Sequence, residues 1–155
     1  MMKHTIKLIK NFFEKGEWKY DCKEYDDGTR VVFYSSINMN NAIGHLRIFV
    51  IVRKDYYVVN VILNSKVEEK YYNQVAEYLH RANFGMNNGN FEFDFDDGEI
   101  RYKTYINFEG IELSDDVVTD SILAPIFMFD KYGKNLLRLM LGEANPKELI
   151  EEIEK

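Results

Sequence analysis

Between Asn90 and Phe108 the chain alternates with a period of two. Phe91, Phe93 and Phe95 are interleaved with Glu92, Asp94 and Asp96. After Asp97-Gly98, residues Ile100, Tyr102, Thr104, Ile106 and Phe108 follow, with Arg101 and Lys103 between them. Successive side chains of a strand point to opposite faces, so this stretch reads as a hairpin with one apolar and one charged face. Asp-Gly accepts the positive φ angles of a tight turn. With Asp97-Gly98 as a two-residue loop, the predicted register sets Phe95 opposite Ile100 and Phe93 opposite Tyr102. On the other face it sets Asp94 opposite Arg101 and Glu92 opposite Lys103. Each such pair contributes about 0.2–1 kcal/mol. A slip of one residue would turn the phenylalanines to water.

The elements around this hairpin are equally patterned. Ile6, Ile9 and Phe13, with Leu8 and Phe12 beside them and Lys3, Lys7 and Lys10 opposite, predict an amphipathic helix over Met2 to Lys15, with Gly16 as its C-cap. Strands are expected at Tyr20–Tyr25 and Arg30–Ile37 around Asp26-Asp27-Gly28, and at Leu46–Arg53 and Tyr56–Leu63 around Lys54-Asp55. That last loop sets Val52 against Tyr57, Val50 against Val59, Ile48 against Val61 and Leu46 against Leu63. Phe49, Ile51, Val58 and Ile62 occupy the other face, so this pair is central and partly covered on its second side. Ser65 and Glu68 read as a capping box for a helix that buries Tyr72, Val75, Leu79 and Ala82 and ends near Asn83, with Gly85 as C-cap. Ser114, with Asp115 and Asp116, caps a long helix reaching about Leu141. Pro125 is expected to kink it and to leave the Ser121 carbonyl for a side chain or water. Asn145-Pro146 starts a short last helix. The sequence predicts one α+β domain over residues 1–155. Its antiparallel sheet carries helices on one face, in the order α-β-β-β-β-α-β-β-α(α).

Composition narrows the function. The chain is 46% hydrophobic and 15% aromatic, which excludes disorder, and no apolar run reaches the roughly 18 residues of a membrane span. Twenty Lys and Arg against 26 Asp and Glu give a net charge of −6, the wrong sign for neutralising phosphates along the chain. The aromatic residues are read as alternating inward rather than interleaving with basic ones, so no nucleic-acid partner is expected, and no membrane partner either. Asn90 to Asp116 holds nine acids and two bases, leaving the rest of the chain at +1. These acids either guard an edge strand from pairing or meet a basic partner. A single cysteine and a lysine-interrupted N-terminus lead to an expected cytoplasmic location.

Chemistry-bearing motifs are sparse. His4, His45 and His80 fall on three elements, and a Cys22–His pair would have to be made by the fold. The sequence has no Gly-x-Ser-x-Gly, no Cys-x-x-Cys and no His-x-x-x-His. Asp94-x-Asp96-Asp97-Gly98 lacks the sixth-position glycine and twelfth-position glutamate of a calcium loop. Gly85-Met86-Asn87-Asn88-Gly89 lacks the Gly-Lys-Ser/Thr of a phosphate loop. No catalytic residue, cofactor or metal is expected.

The stretch from Val75 to Gly110 carries Ala76-Glu77-Tyr78-Leu79-His80-Arg81-Ala82-Asn83, Gly89-Asn90-Phe91-Glu92-Phe93-Asp94 and Asp97-Gly98-Glu99-Ile100-Arg101-Tyr102-Lys103. Together with Leu113-Ser114-Asp115 and Asn145-Pro146-Lys147-Glu148, it resembles the YbjN-like domain family. The resemblance implies an α+β domain similar to type III secretion chaperones, and a regulatory role without catalytic residues. A fourth strand before the second helix departs from the three usual in those chaperones.

Two functions from different classes fit. One is a protein-interaction or chaperone-like module that binds a protein partner or itself as a homodimer. The other is a sensor holding a small molecule between sheet and helices. An enzyme is third. The candidate partner-binding residues are Leu123 and Phe127. With Ile122 at zero and about 100° per residue, Ile126, Phe129, Gly133, Leu136, Leu137 and Met140 fall within about 60° of it. Asp120, Lys131, Lys134 and Arg138 gather near about 120–180°, and Phe127 lies among them at about 140°, with Leu123 at about 100°. Either the Pro125 kink carries Phe127 into the core, or Phe127 and Leu123 anchor a second subunit.

Overall fold

The structure, a computed structural model, describes residues 1–142 and 145–155. Six antiparallel strands form one open sheet in the spatial order β1-β2-β3-β4-β6-β5. They are β1 (Tyr20–Tyr25), β2 (Arg30–Asn38), β3 (His45–Val52), β4 (Tyr56–Leu63), β5 (Asn90–Phe93) and β6 (Ile100–Asn107). Four helices accompany them: α1 (Met2–Lys15), α2 (Tyr72–Asn83), α3 (Asp115–Met140) and α4 (Pro146–Glu154). The α+β class and the element order are as the sequence predicts.

Alternation decides which face is covered. Phe33, Val50, Val59 and Thr104 are consecutive partners across four strands and all are buried. The helices pack on this face, with α3 against β4 and β6 and in contact with α1, α2 and α4. Between the layers lie Phe13, Phe129 and Leu136 from the helices and Tyr57, Val61 and Ile100 from the sheet, all wholly buried. The β3–β4 register is the predicted one at all four pairs.

The Pro125 expectation concerning Ser121 holds. Helix α3 is continuous from Asp115 to Met140, and the Ser121 carbonyl accepts a hydrogen bond from the Thr104 hydroxyl at 2.8 Å. The Tyr57 and Ser121 hydroxyls are hydrogen-bonded to each other at 2.7 Å, and Ser121 Oγ lies 2.8 Å from the Val118 carbonyl. The sheet therefore supplies the polar partners that a proline-bearing helix lacks.

Other expectations are corrected. The β5–β6 hairpin pairs Phe93 with Ile100, Phe91 with Tyr102 and Glu92 with Arg101, two residues from the predicted register. A shift of two preserves every face, so alternation alone does not forbid it. The loop is six residues long because its acids fold it. Asp94 Oδ1 accepts from Asp96 N (2.8 Å), Asp97 Oδ1 accepts from Glu99 N (3.0 Å), and Gly98 N donates to the Asp94 carbonyl (2.8 Å). Phe95 is left 57% exposed. Tyr25 pairs with Arg30, so the first hairpin loop is Asp26–Thr29, left-handed at Asp26, Asp27 and Gly28.

The capping box at Ser65 and Glu68 does not form, and α2 starts only at Tyr72, after a short 3-10 turn. Val67 is instead buried, and its N–H donates to the Gly98 carbonyl at 3.0 Å. Gly16 is not left-handed (φ −84°). Glu17 takes the positive φ, and a Cβ at position 16 would lie 2.5 Å from the Trp18 indole. The caps at Ser114 and Asn145 form as expected.

Candidate functional site

Helix α3 turns a polar stripe outward because its apolar positions are spent on the sheet. Val118, Ile122, Phe129 and Leu136 are buried, whereas Asp116, Asp120, Phe127, Lys131 and Lys134 are exposed. Phe127 is 60% exposed, so the reading in which the proline kink buries it is overturned. Leu123, one turn earlier, is half-buried and packs against the core. The structure thus sets the two candidate residues on one face of one continuous helix.

Beside them runs a groove of about 550 Å³, lined by Ala124 and Met128 of α3, Phe84 and Met86 of the α2–β5 loop, and Ile153 of α4. Phe84 is 90% exposed, the most exposed large apolar residue of the described chain. It was missed in the sequence because Asn83-Phe84-Gly85 read only as a helix end. The loop is pinned by Asn83, whose side chain accepts from Phe91 N at 2.7 Å and donates to the Phe91 carbonyl at 2.9 Å.

The charges of the stripe have a definite order. Asp116 and Asp120 precede Phe127, and Lys131 and Lys134 follow it, with Asp130 the one acid on the following side. Lys131 Nζ sits 5.1 Å from the Tyr132 ring centroid, and Asp130 accepts from Asn41 Nδ2 at 2.8 Å. Among the described residues Asp120 and Lys134 make no ion pair.

No protein-family model and no curated protein matches this chain.

The uncovered sheet face is a second feature. Here aromatic and basic residues do interleave, contrary to the inward alternation read from the sequence. Lys23 lies over Tyr34, Arg30 over Tyr25 and Arg47 over Phe49. Carboxylates already occupy most of these cations. Arg30 Nε is 3.3 Å from Asp26, Arg47 Nη2 is 3.6 Å from Glu99, and Arg101 and Lys103 share Glu92. Partial burial alone would raise the Glu92 pKa, but hydrogen bonds from Lys103 and Arg101 hold it below the usual value. A phosphate chain would find little unneutralised charge here.

The reactive side chains stay apart in role. Cys22 is on the edge strand β1, exposed, its thiol pushed up chiefly by partial desolvation, the opposite of an activated nucleophile. His4 Nε2 is bound to the Leu113 carbonyl (3.2 Å), His45 Nδ1 to Asn38 Oδ1 (2.7 Å), and His80 is on the exposed side of α2. Among the described residues no three His, Cys, Asp or Glu side chains converge on a metal position, and no helix is long and apolar enough to cross a membrane.

Proposed function

We propose that this chain is a non-enzymatic protein-interaction module of the cytoplasm, YbjN-like and chaperone-like in character, that docks a protein on the outer face of α3 through Phe127 and Leu123. The observation that carries this reading is Phe127, 60% exposed at the centre of a charged stripe on a helix anchored to the sheet. An exposed aromatic on a rigid support loses little entropy on binding and is a common hot-spot type. The adjoining groove, where Phe84 and Met86 lie beside polar residues such as Asn88 and Lys131, extends the contact area. The resemblance to the YbjN-like domain family supports a regulatory rather than a catalytic role. The competing idea, a ligand between sheet and helices, has less support, because large side chains such as Phe13, Phe33 and Phe129 fill that layer.

Site-specific photo-crosslinking tests the proposal. A photoreactive phenylalanine at position 127 should give a protein adduct in cells. The same residue at position 105, exposed on the opposite face of the sheet, should not. Absence of any adduct at 127, or equal adducts at both positions, would overturn it.

A further inference from the structure

The order of charges on α3 carries more than a docking face. Counting from Phe127, Asp120 lies seven residues before it and Lys134 seven after, so each is about 10 Å away along the helix axis. At about 100° per residue, Asp120 falls about 20° to one side of Phe127 and Lys134 about 20° to the other. Leu123 and Lys131 are likewise placed at four residues before and after, and Asp116 and Arg138 at eleven. Apart from Asp130, which is exposed on the Leu123 side and accepts a hydrogen bond from Asn41, the stripe has opposite charges at equal distances on either side of an aromatic centre. Such a surface is complementary to itself when turned end over end, which is the condition for an isologous two-fold interface.

Resting on the docking reading above, we infer that the partner is a second copy of this chain, with the two α3 helices antiparallel across a two-fold axis at Phe127. In that arrangement Phe127 of each copy meets Phe127 of the other. Leu123 meets the aliphatic stem of Lys131, and Asp120 faces Lys134. Arg138 is already held by Glu152 at 2.8 Å, so the pairing rests on Asp120 and Lys134, which have no ion pair among the described residues. Parallel helices would set acids on acids and are disfavoured. A foreign partner would have no reason to match spacings symmetric about one residue.

Charge exchange tests the arrangement on exposed positions, where folding is not at stake. Wild type is expected to dimerise in light scattering over a rising concentration series. Asp120→Lys alone sets lysines against lysines, and Lys134→Asp alone sets aspartates against aspartates. Each is expected to weaken dimerisation by roughly tenfold or more. Mixing the two single variants is expected to restore dimers. The lysine introduced at position 120 of one chain then faces the aspartate introduced at position 134 of the other, and the second contact keeps its native pair. A wild type that stays monomeric overturns the inference. So do single variants that dimerise like wild type, or a mixture that stays apart. A position-127 crosslink to a different protein, with a monomeric wild type, would leave the docking face standing and remove only the second copy.

Discussion

Thr104 shows how one hydroxyl can decide whether a helix tolerates proline. Pro125 has no N–H to give to the Ser121 carbonyl, and that carbonyl is buried. The Thr104 Oγ1 bond at 2.8 Å satisfies it from the sheet. Thr104→Val preserves shape and removes the donor, so it is expected to cost about 1–3 kcal/mol, whereas Thr104→Ser recovers most of that. Urea midpoints of the two variants measure the difference, and equal midpoints would mean that another donor serves Ser121. Asn60 is the opposite case. Its side chain points to the uncovered face between Phe49 and Lys103 and is 8% exposed, and Oδ1 has no hydrogen-bond partner. Asn60→Val removes an unpaired acceptor and is expected to raise stability by about 1 kcal/mol, read as a higher melting temperature.

At the scale of elements, Gly98 ties two segments together. Its φ is +77°, and a Cβ there would lie 2.4 Å from the Val67 carbonyl oxygen. Gly98→Ala is therefore expected to cost at least about 2 kcal/mol. Gly110→Ala, also at positive φ but with open space around it, should cost only the left-handed strain of about 1 kcal/mol. Denaturant melts that rank the two equally would reject the Val67 contact. What the sequence revealed of these elements follows from the kind of signal each carries. The β3–β4 register was legible because Lys54-Asp55 is in fact a two-residue loop, closed by Arg53 N–H donating to the Tyr56 carbonyl at 2.8 Å. The β5–β6 register was not, because a shift of two preserves every face and side-chain bonds within the acidic loop chose between the alternatives. The start of α2 was misread because Val67 is buried and gives its N–H to the Gly98 carbonyl on the neighbouring hairpin loop, and Glu68 stays extended, a tertiary contact that a local capping pattern does not contain. On α3 the angular position of Phe127 was legible from periodicity alone. Its exposure depended on whether the helix ran on through Pro125, which required Thr104, a residue on another element.

For the whole molecule, the buried tyrosines set a limit on the alkaline side. Burial pushes Tyr57 and Tyr102 up to about 12, the hydrogen bond to Ser121 only partly offsetting the effect for Tyr57. Both side chains are at most 1% exposed. In the unfolded chain they ionise near about 10. The native state therefore holds more protons than the unfolded state between those values, and stability falls as pH rises through that window. Each of the two contributes a loss approaching about 1.4 kcal/mol per pH unit, so about 3 kcal/mol per unit together near pH 11. Over the whole window these two remove about 5 kcal/mol, and Tyr132, likewise raised to about 12 by burial, and Tyr78, raised further, add to the loss. Against a total stability of about 5–15 kcal/mol, the fold should give way within this range. In an alkaline titration the tyrosinate absorbance of these buried rings should rise in a steep phase that coincides with loss of far-ultraviolet dichroism. Tyr102→Phe keeps the packing, removes one of the linked protons and is expected to move the steep phase to higher pH. A single smooth phase with the dichroism intact throughout would show that these rings open to solvent without unfolding, and that the layer between sheet and helices is looser than its burial indicates.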